Sequence, residues 1–150
     1  MKTRIARLSA QATVALAVVA GAPAAHADTD YQFFQSPSGN IACLLGTVSE
    51  NGGPRATASC QVGEHTFAAP PRPGACAGGW GDSVVVTQGR PASMQCHTDT
   101  MLPSHDPVLP YGHSRSAGPI TCASEPSGIT CTDTTTGHAF SLSHDGYRLS

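Results

Sequence analysis

Six histidines follow residue 27, and three of them share one stretch with acids: His97-Thr98-Asp99, His105-Asp106 and His113. Imidazole nitrogen and carboxylate oxygen are ligands for zinc and similar ions. The spacing matches no established ligand pattern, so the expectation is a solvated loop with no bound metal or other cofactor. Ser143-His144-Asp145 holds the residue types of a catalytic triad, but neighbours on a turn cannot line up along one hydrogen-bonded axis. A chain reversal at Asp145-Gly146 is the expected reading. Ser36-Pro37-Ser38-Gly39-Asn40-Ile41-Ala42-Cys43 offers two serines and a thiol on a glycine-bearing turn. Neither serine sits in a Gly-x-Ser-x-Gly elbow, and the thiol has a structural use, argued below.

The ends and the composition say what kind of frame positions these groups. Lys2, Arg4 and Arg7 precede an uncharged run from Leu8 to Ala22, and Ala25-His26-Ala27 leads into Asp28. That is the three-part pattern of a signal peptide. The apolar run is shorter than the ~20 residues of a spanning helix and contains Gln11 and Thr13. Residues 1–27 therefore read as a signal helix cleaved after Ala27, and residues 28–150 as a single secreted β-rich domain with no membrane span. No cysteine stands at the cleavage point and no twin-arginine pair precedes it.

Cleavage removes three of the eight cations, so five arginines face ten acids and the formal charge is −5. An acidic surface without lysine argues against nucleic acid or anionic lipid as the main partner, since both need cationic neutralisation. Sixteen glycines, twelve prolines and only eight aromatic residues describe a turn-rich β protein with a thin core. All six cysteines (Cys43, Cys60, Cys76, Cys96, Cys122, Cys131) follow the signal segment, and three disulfides are expected in an oxidising compartment.

Six cysteines allow fifteen pairings, and turn chemistry narrows them. Asn51-Gly52 is a hairpin signal. As a two-residue turn it sets Glu50 opposite Gly53, Ser49 opposite Pro54 and Cys43 opposite Cys60. The last two are non-hydrogen-bonded pairs, so Pro54 costs no ladder bond and the cysteines stand ~4.5 Å apart at Cα, within bridging range. A bulge at Gly53 would break this register. The segment Glu125-Pro126-Ser127-Gly128, read as a four-residue loop, similarly sets Cys122 opposite Cys131. Alternation then places Ile120, Cys122, Ile129 and Cys131 on one face and Thr121, Thr130 and Thr132 on the other. Cys76 and Cys96 pair by elimination.

Ser83–Thr87 and Ala92–Cys96 read as strands around a turn at Gln88-Gly89-Arg90-Pro91. His138–Ser143 and Gly146–Leu149 read as a closing hairpin. Ala68–Pro73 is an extended polyproline-like connector, and residues 97–116 form the longest stretch without strand character. The fold class is all-β: a small antiparallel sheet, barrel-like or sandwich domain built from hairpins and stapled by three disulfides. Pro37-Ser38-Gly39-Asn40-Ile41-Ala42-Cys43 returns, one residue shorter, as Pro126-Ser127-Gly128-Ile129-Thr130-Cys131, a reused turn and not a duplicated domain.

An ordered series of motifs runs through the chain: Phe34 to Cys43, Cys76 with Trp80-Gly81, Cys96 with Asp99-Thr100, Leu109-Pro110-Tyr111-Gly112, Ile120-Thr121-Cys122, Gly128 to Cys131, and Gly137-His138-Ala139-Phe140 before Tyr147. In this series the chain resembles a family of small exported proteins, common in actinobacteria and of unknown function. The resemblance implies the same three sequential disulfides. It places glycine where His97 stands, which sets His97 aside as the carrier of a shared role, and it singles out Trp80, Asp99, Tyr111 and His138 as binding-pocket candidates. The bland alternative is that Trp80 and Tyr111 fill a small core, Asp99 caps a turn and His138 bonds the backbone.

The function expected is a monomeric, non-catalytic binding or envelope-associated module with no catalytic residues. Its partner would be a protein, glycan or small molecule of the envelope. The alternatives are a small secreted hydrolase using His138 with Asp99, or a weak metal-binding protein.

Overall fold

The computed structural model describes residues 30–150; the expected signal segment, residues 1–27, lies outside them. Ten strands form two five-stranded antiparallel sheets. The first contains β1 (Gln32–Gln35), β2 (Ile41–Glu50), β3 (Gly53–Val62), β4 (Ser83–Thr87) and β5 (Ser93–Met94), in sequence order. The second contains β6 (Ser114–Ala117), β7 (Ile120–Glu125), β8 (Gly128–Asp133), β9 (Ala139–Leu142) and β10 (Tyr147–Leu149), again in order. Each sheet is a meander in which every strand pairs with its sequence neighbour. Among the described residues no helix is long and apolar enough to cross a membrane.

The hairpin registers are those the turns require. Glu50 pairs with Gly53, Ser49 with Pro54 and Cys43 with Cys60. Positive φ falls on Gly52 (123°) and Gly53 (111°) and on no non-glycine residue, so Asn51 avoids the left-handed conformation that a type I′ turn asks of both central residues. In the second sheet Glu125 pairs with Gly128, so the expected four-residue loop tightens to two residues, Pro126-Ser127, without changing the Cys122–Cys131 register. Gly128 has φ 129°, and a side chain there would strike the Leu142 carbonyl.

All three expected disulfides are present, with Cα separations of 4.1 Å for Cys43–Cys60, 5.6 Å for Cys76–Cys96 and 4.0 Å for Cys122–Cys131. The two cross-strand bridges lie inside the core. There they pack with Phe34, Leu45, Val62, Val84 and Val86 of the first sheet and with Ile120, Ile129, Phe140 and Leu142 of the second. One apolar layer between two sheets makes a sandwich. Phe34 and Phe140 are its largest members, each stabilising by about 1.5–3 kcal/mol through burial.

A buried carboxylate ties the sheets together. Asp133, at the end of β8, is fully buried. Its Oδ2 accepts from the Gly89 N–H (2.7 Å) and the Thr136 hydroxyl (3.0 Å), and its Oδ1 from the Thr135 N–H (3.0 Å) and hydroxyl (2.7 Å). Gly89 belongs to the turn between β4 and β5, so one side chain of the second sheet caps a turn of the first.

Three details depart from the sequence reading. β5 spans Ser93–Met94 where a strand to Cys96 was expected; beyond Met94 the chain bends away toward the Cys76 bridge after Gln95 N–H bonds the Ser83 carbonyl. β6 occupies the end of the stretch expected to lack strands, paired to β7. β1 is an edge strand paired to β2, and its Gln-Phe-Phe-Gln sequence has no alternation to announce it.

Candidate functional site

The outward side of β3 is polar yet covered. Thr57, Ser59 and Gln61 are buried; Thr57 bonds the Val86 carbonyl and the Thr87 hydroxyl of β4, and Ser59 and Gln61 bond the segment that follows β5. The Gln61 Nε2 donates to Asp82 Oδ2 at 2.8 Å, and its Oε1 accepts from the Met101 N–H at 2.7 Å and the Thr100 hydroxyl at 3.1 Å. Ser59 Oγ donates to Gln95 Oε1. Beside the Cys76–Cys96 bridge, a short antiparallel bridge joins Gly79 to His97, and any side chain on Gly79 would collide with the His97 ring.

His97 is the fastening of this segment. Its Nε2 lies 2.8 Å from Asp82 Oδ1 and its Nδ1 lies 2.9 Å from the Asp99 carbonyl. Both partners are acceptors, and a neutral imidazole carries one N–H; only the imidazolium satisfies both. The hydrogen bond to Asp82 raises the His97 pKa above the ordinary 6.5 against the opposing effect of burial, helped by the Asp82 charge and the Asp99 carbonyl. Burial pushes the Asp82 carboxyl up, but hydrogen bonds from Gln61 and His97 and the His97 charge hold it below the ordinary 3.8.

The signs follow from these directions. The His97 contribution is fully present below pH 6.5 and is lost as pH rises through the raised value. The Asp82 contribution is present above pH 3.8 and is lost as pH falls through the lowered one. An NMR titration of the His97 ring should therefore give a pKa above 6.5 that falls back in Asp82→Asn; a wild-type value at or below 6.5 would sink the clamp.

The four pocket candidates share no described cavity and no hydrogen bond with one another. Trp80 is half-buried and its Nε1 donates to the Pro70 carbonyl at 2.9 Å. Asp99 is exposed and serves His97 through its backbone carbonyl. His138, just before β9, engages Thr136 and Asp133 through its backbone. No hydrogen bond joins His138 to Asp99. Of the four, Tyr111 alone lines a principal cavity. Among the described residues no three His, Cys, Asp or Glu side chains gather as metal ligands; His105 and His113 stand exposed.

The Tyr111 cavity is a cleft of about 390 Å³ where three turns meet: Ser36 to Asn40, Glu125 to Gly128, and Ser143 to Gly146. The first two are the long and short copies of the repeated Pro-Ser-Gly motif. In the long copy Ser36 Oγ accepts from the Ile41 N–H at 3.1 Å and meets Ser38 Oγ at 3.0 Å. Asn40, the residue the short copy lacks, donates from Nδ2 to the Glu64 carbonyl and accepts at Oδ1 from the Glu64 N–H, both at 2.8 Å. The extra residue thus binds the turn to the chain leaving β3.

Tyr111 is 45% exposed on a held backbone. Leu109 is buried in the core and its N–H donates to the Gln35 carbonyl at 2.9 Å, while the Gly112 N–H donates to the Ser124 carbonyl at 2.7 Å. Serines, Asn40, Ile41, Pro126, His144 and the acids Glu64, Glu125 and Asp145 share the rest of the lining with Gly128, and no arginine is among them. The cleft holds no assembled nucleophile and base: Ser143 Oγ donates to the Gly146 carbonyl, and His144 Nδ1 pairs with Asp145 at 2.6 Å.

The fold and this surface define a small all-β domain, stapled by three disulfides, with a cleft of mixed polar and apolar lining formed by turns. The chain belongs to DUF6636, a family of unknown function, which it matches over residues 14–149. No curated protein and no solved structure matches it.

Proposed function

We propose that this protein is exported, loses residues 1–27, and works as a monomeric, non-catalytic binding domain in the extracellular or cell-envelope space, holding its ligand in the Tyr111 cleft. Three intramolecular disulfides are typical of extracellular proteins, which supports the export reading. The observation that carries the binding reading is Tyr111: an aromatic ring left half in water, on a backbone fastened from both sides, at the rim of a cleft lined by hydroxyls. Exposed aromatics on rigid loops are recognition groups more than packing groups. In the same cleft Ser143 Oγ donates to the Gly146 carbonyl and His144 pairs with its neighbour Asp145, which supports binding over hydrolysis.

Titrating the ¹⁵N-labelled domain with soluble fragments of the native envelope tests this. Shifts should centre on Gly39, Gly112 and Gly128, and Tyr111→Ser should weaken binding by about tenfold or more while leaving the spectrum folded. Shifts centred elsewhere, or undiminished in Tyr111→Ser, would remove the cleft from consideration.

A further inference from the structure

The Tyr111 cleft has neighbours on both sides. A basin of about 540 Å³, walled by Leu102 and Pro103, shares Ser38, Asn40 and Glu64 with it. On the other side a basin of about 430 Å³ shares Ser127, Gly128, Ser143 and Asp145 with it. The floor of this second basin is the outer face of β8 and β9, where the Thr130 and Ser141 hydroxyls meet at 2.8 Å, and Arg148 stands at its edge. Three basins with common walls make one groove, with the exposed ring in the middle.

Resting on the binding reading above, we infer that this groove takes an extended, uncharged glycan chain, its units occupying the basins in succession. A groove whose walls mix serine, threonine and asparagine with apolar residues, with the exposed Tyr111 ring at its middle and Tyr147 in an outer basin, suits repeating hydroxylated rings: the polar groups bond hydroxyls and an aromatic ring stacks against a sugar face. A peptide strand would need backbone edges free to pair. The turns around this groove spend theirs on one another, as in Ser36 N–H to the Ile41 carbonyl (2.8 Å), Gly39 N–H to the Ser36 carbonyl (2.9 Å) and Ser143 N–H to the Gly146 carbonyl (2.9 Å). Anionic polymers are disfavoured because Glu64, Glu125 and Asp145 outnumber Arg148 along the groove.

The test is a length series. β-1,4-linked glucose and N-acetylglucosamine oligomers of one to six units are titrated into the domain and followed by amide shifts. Affinity in one of the two series should rise by at least about tenfold from dimer to hexamer, with shifts spreading from Gly112 to Gly63 and Gly146. Ser141→Trp, which fills an outer basin, should bring the hexamer's affinity down to that of the dimer while the amide spectrum remains that of the folded domain. Length-independent binding at Tyr111 overturns the extended groove while the cleft reading stands. If neither series binds and an anionic oligosaccharide or a peptide binds at Tyr111 instead, the glycan class is overturned. If nothing binds at Tyr111, both readings fall.

Discussion

Asp133→Ala should destabilise the domain by roughly 2–4 kcal/mol, more than any other exchange of a polar side chain in it. The carboxylate is fully buried, a position that would ordinarily push its pKa up. Four donors, from Gly89, Thr135 twice and Thr136, outweigh that and hold its pKa far below the carboxylate range. Truncation leaves the Gly89 N–H facing an emptied pocket between the sheets and frees the turn that joins β4 to β5. Asp133→Asn should recover only part of the loss, because its amide presents N–H groups to other donors.

The pH sign is fixed by the lowered value. The Asp133 contribution is present above the unfolded carboxylate pKa of about 3.9 and is lost as pH falls below it toward the folded value. Denaturant melts at pH 7 and pH 3 check both claims. The wild-type should lose stability in acid more steeply than Asp133→Ala, and a loss under about 1 kcal/mol at pH 7 would contradict the keystone role.

Mild thiol treatment should open Cys76–Cys96 alone. Both cysteines of the other two bridges are buried in the core at 1% exposure or less, whereas Cys96 is exposed and Cys76 is 7% exposed. A thiolate can attack the Cys96 sulfur, forming a mixed disulfide and releasing the Cys76 thiolate; a second thiol completes the two-electron reduction and leaves as part of a thiol disulfide. The core bridges are reached only after the sheets separate. For a domain stable by about 5 kcal/mol, that protects them by on the order of a thousandfold or more. Timed alkylation and mass spectrometry should show a two-thiol species, folded and labelled at Cys76 and Cys96. Direct passage from no labelled thiols to six would refute it. Opening this bridge removes roughly 3 kcal/mol of loop restraint and leaves the His97 to Asp82 clamp to hold the cover over Ser59 and Gln61.

Much of the framework was legible because a meander is written in nearest-neighbour interactions. Asn51-Gly52 and Pro126-Ser127 each select a register, and each register brings two cysteines face to face. β1 and β6 were missed because they are four-residue edge strands, defined by the neighbour they pair with and not by their own pattern. His97 has no signature in its own sequence neighbourhood that announces a clamp. One of its two acceptors, the Asp99 carbonyl, lies two residues away, but Asp82 lies 15 residues away and is met only where the Gly79 to His97 bridge joins the two segments. The fold uses Trp80, Asp99 and His138 locally, through Pro70, His97 and the β8 to β9 turn.

The registers of the two disulfide-bearing hairpins, and with them the Cys43–Cys60 and Cys122–Cys131 pairings, therefore belong to the sequence by itself, since turn residues and alternation act over a few positions. The packing of the two sheets belongs to the tertiary structure. It carries Asp133 to Gly89 across 44 positions and brings the two copies of the Pro-Ser-Gly turn to the same cleft from opposite sheets. No local rule states which turns meet at one end of a sandwich; that depends on how two apolar faces fit, and Tyr111 becomes a binding candidate only once they have.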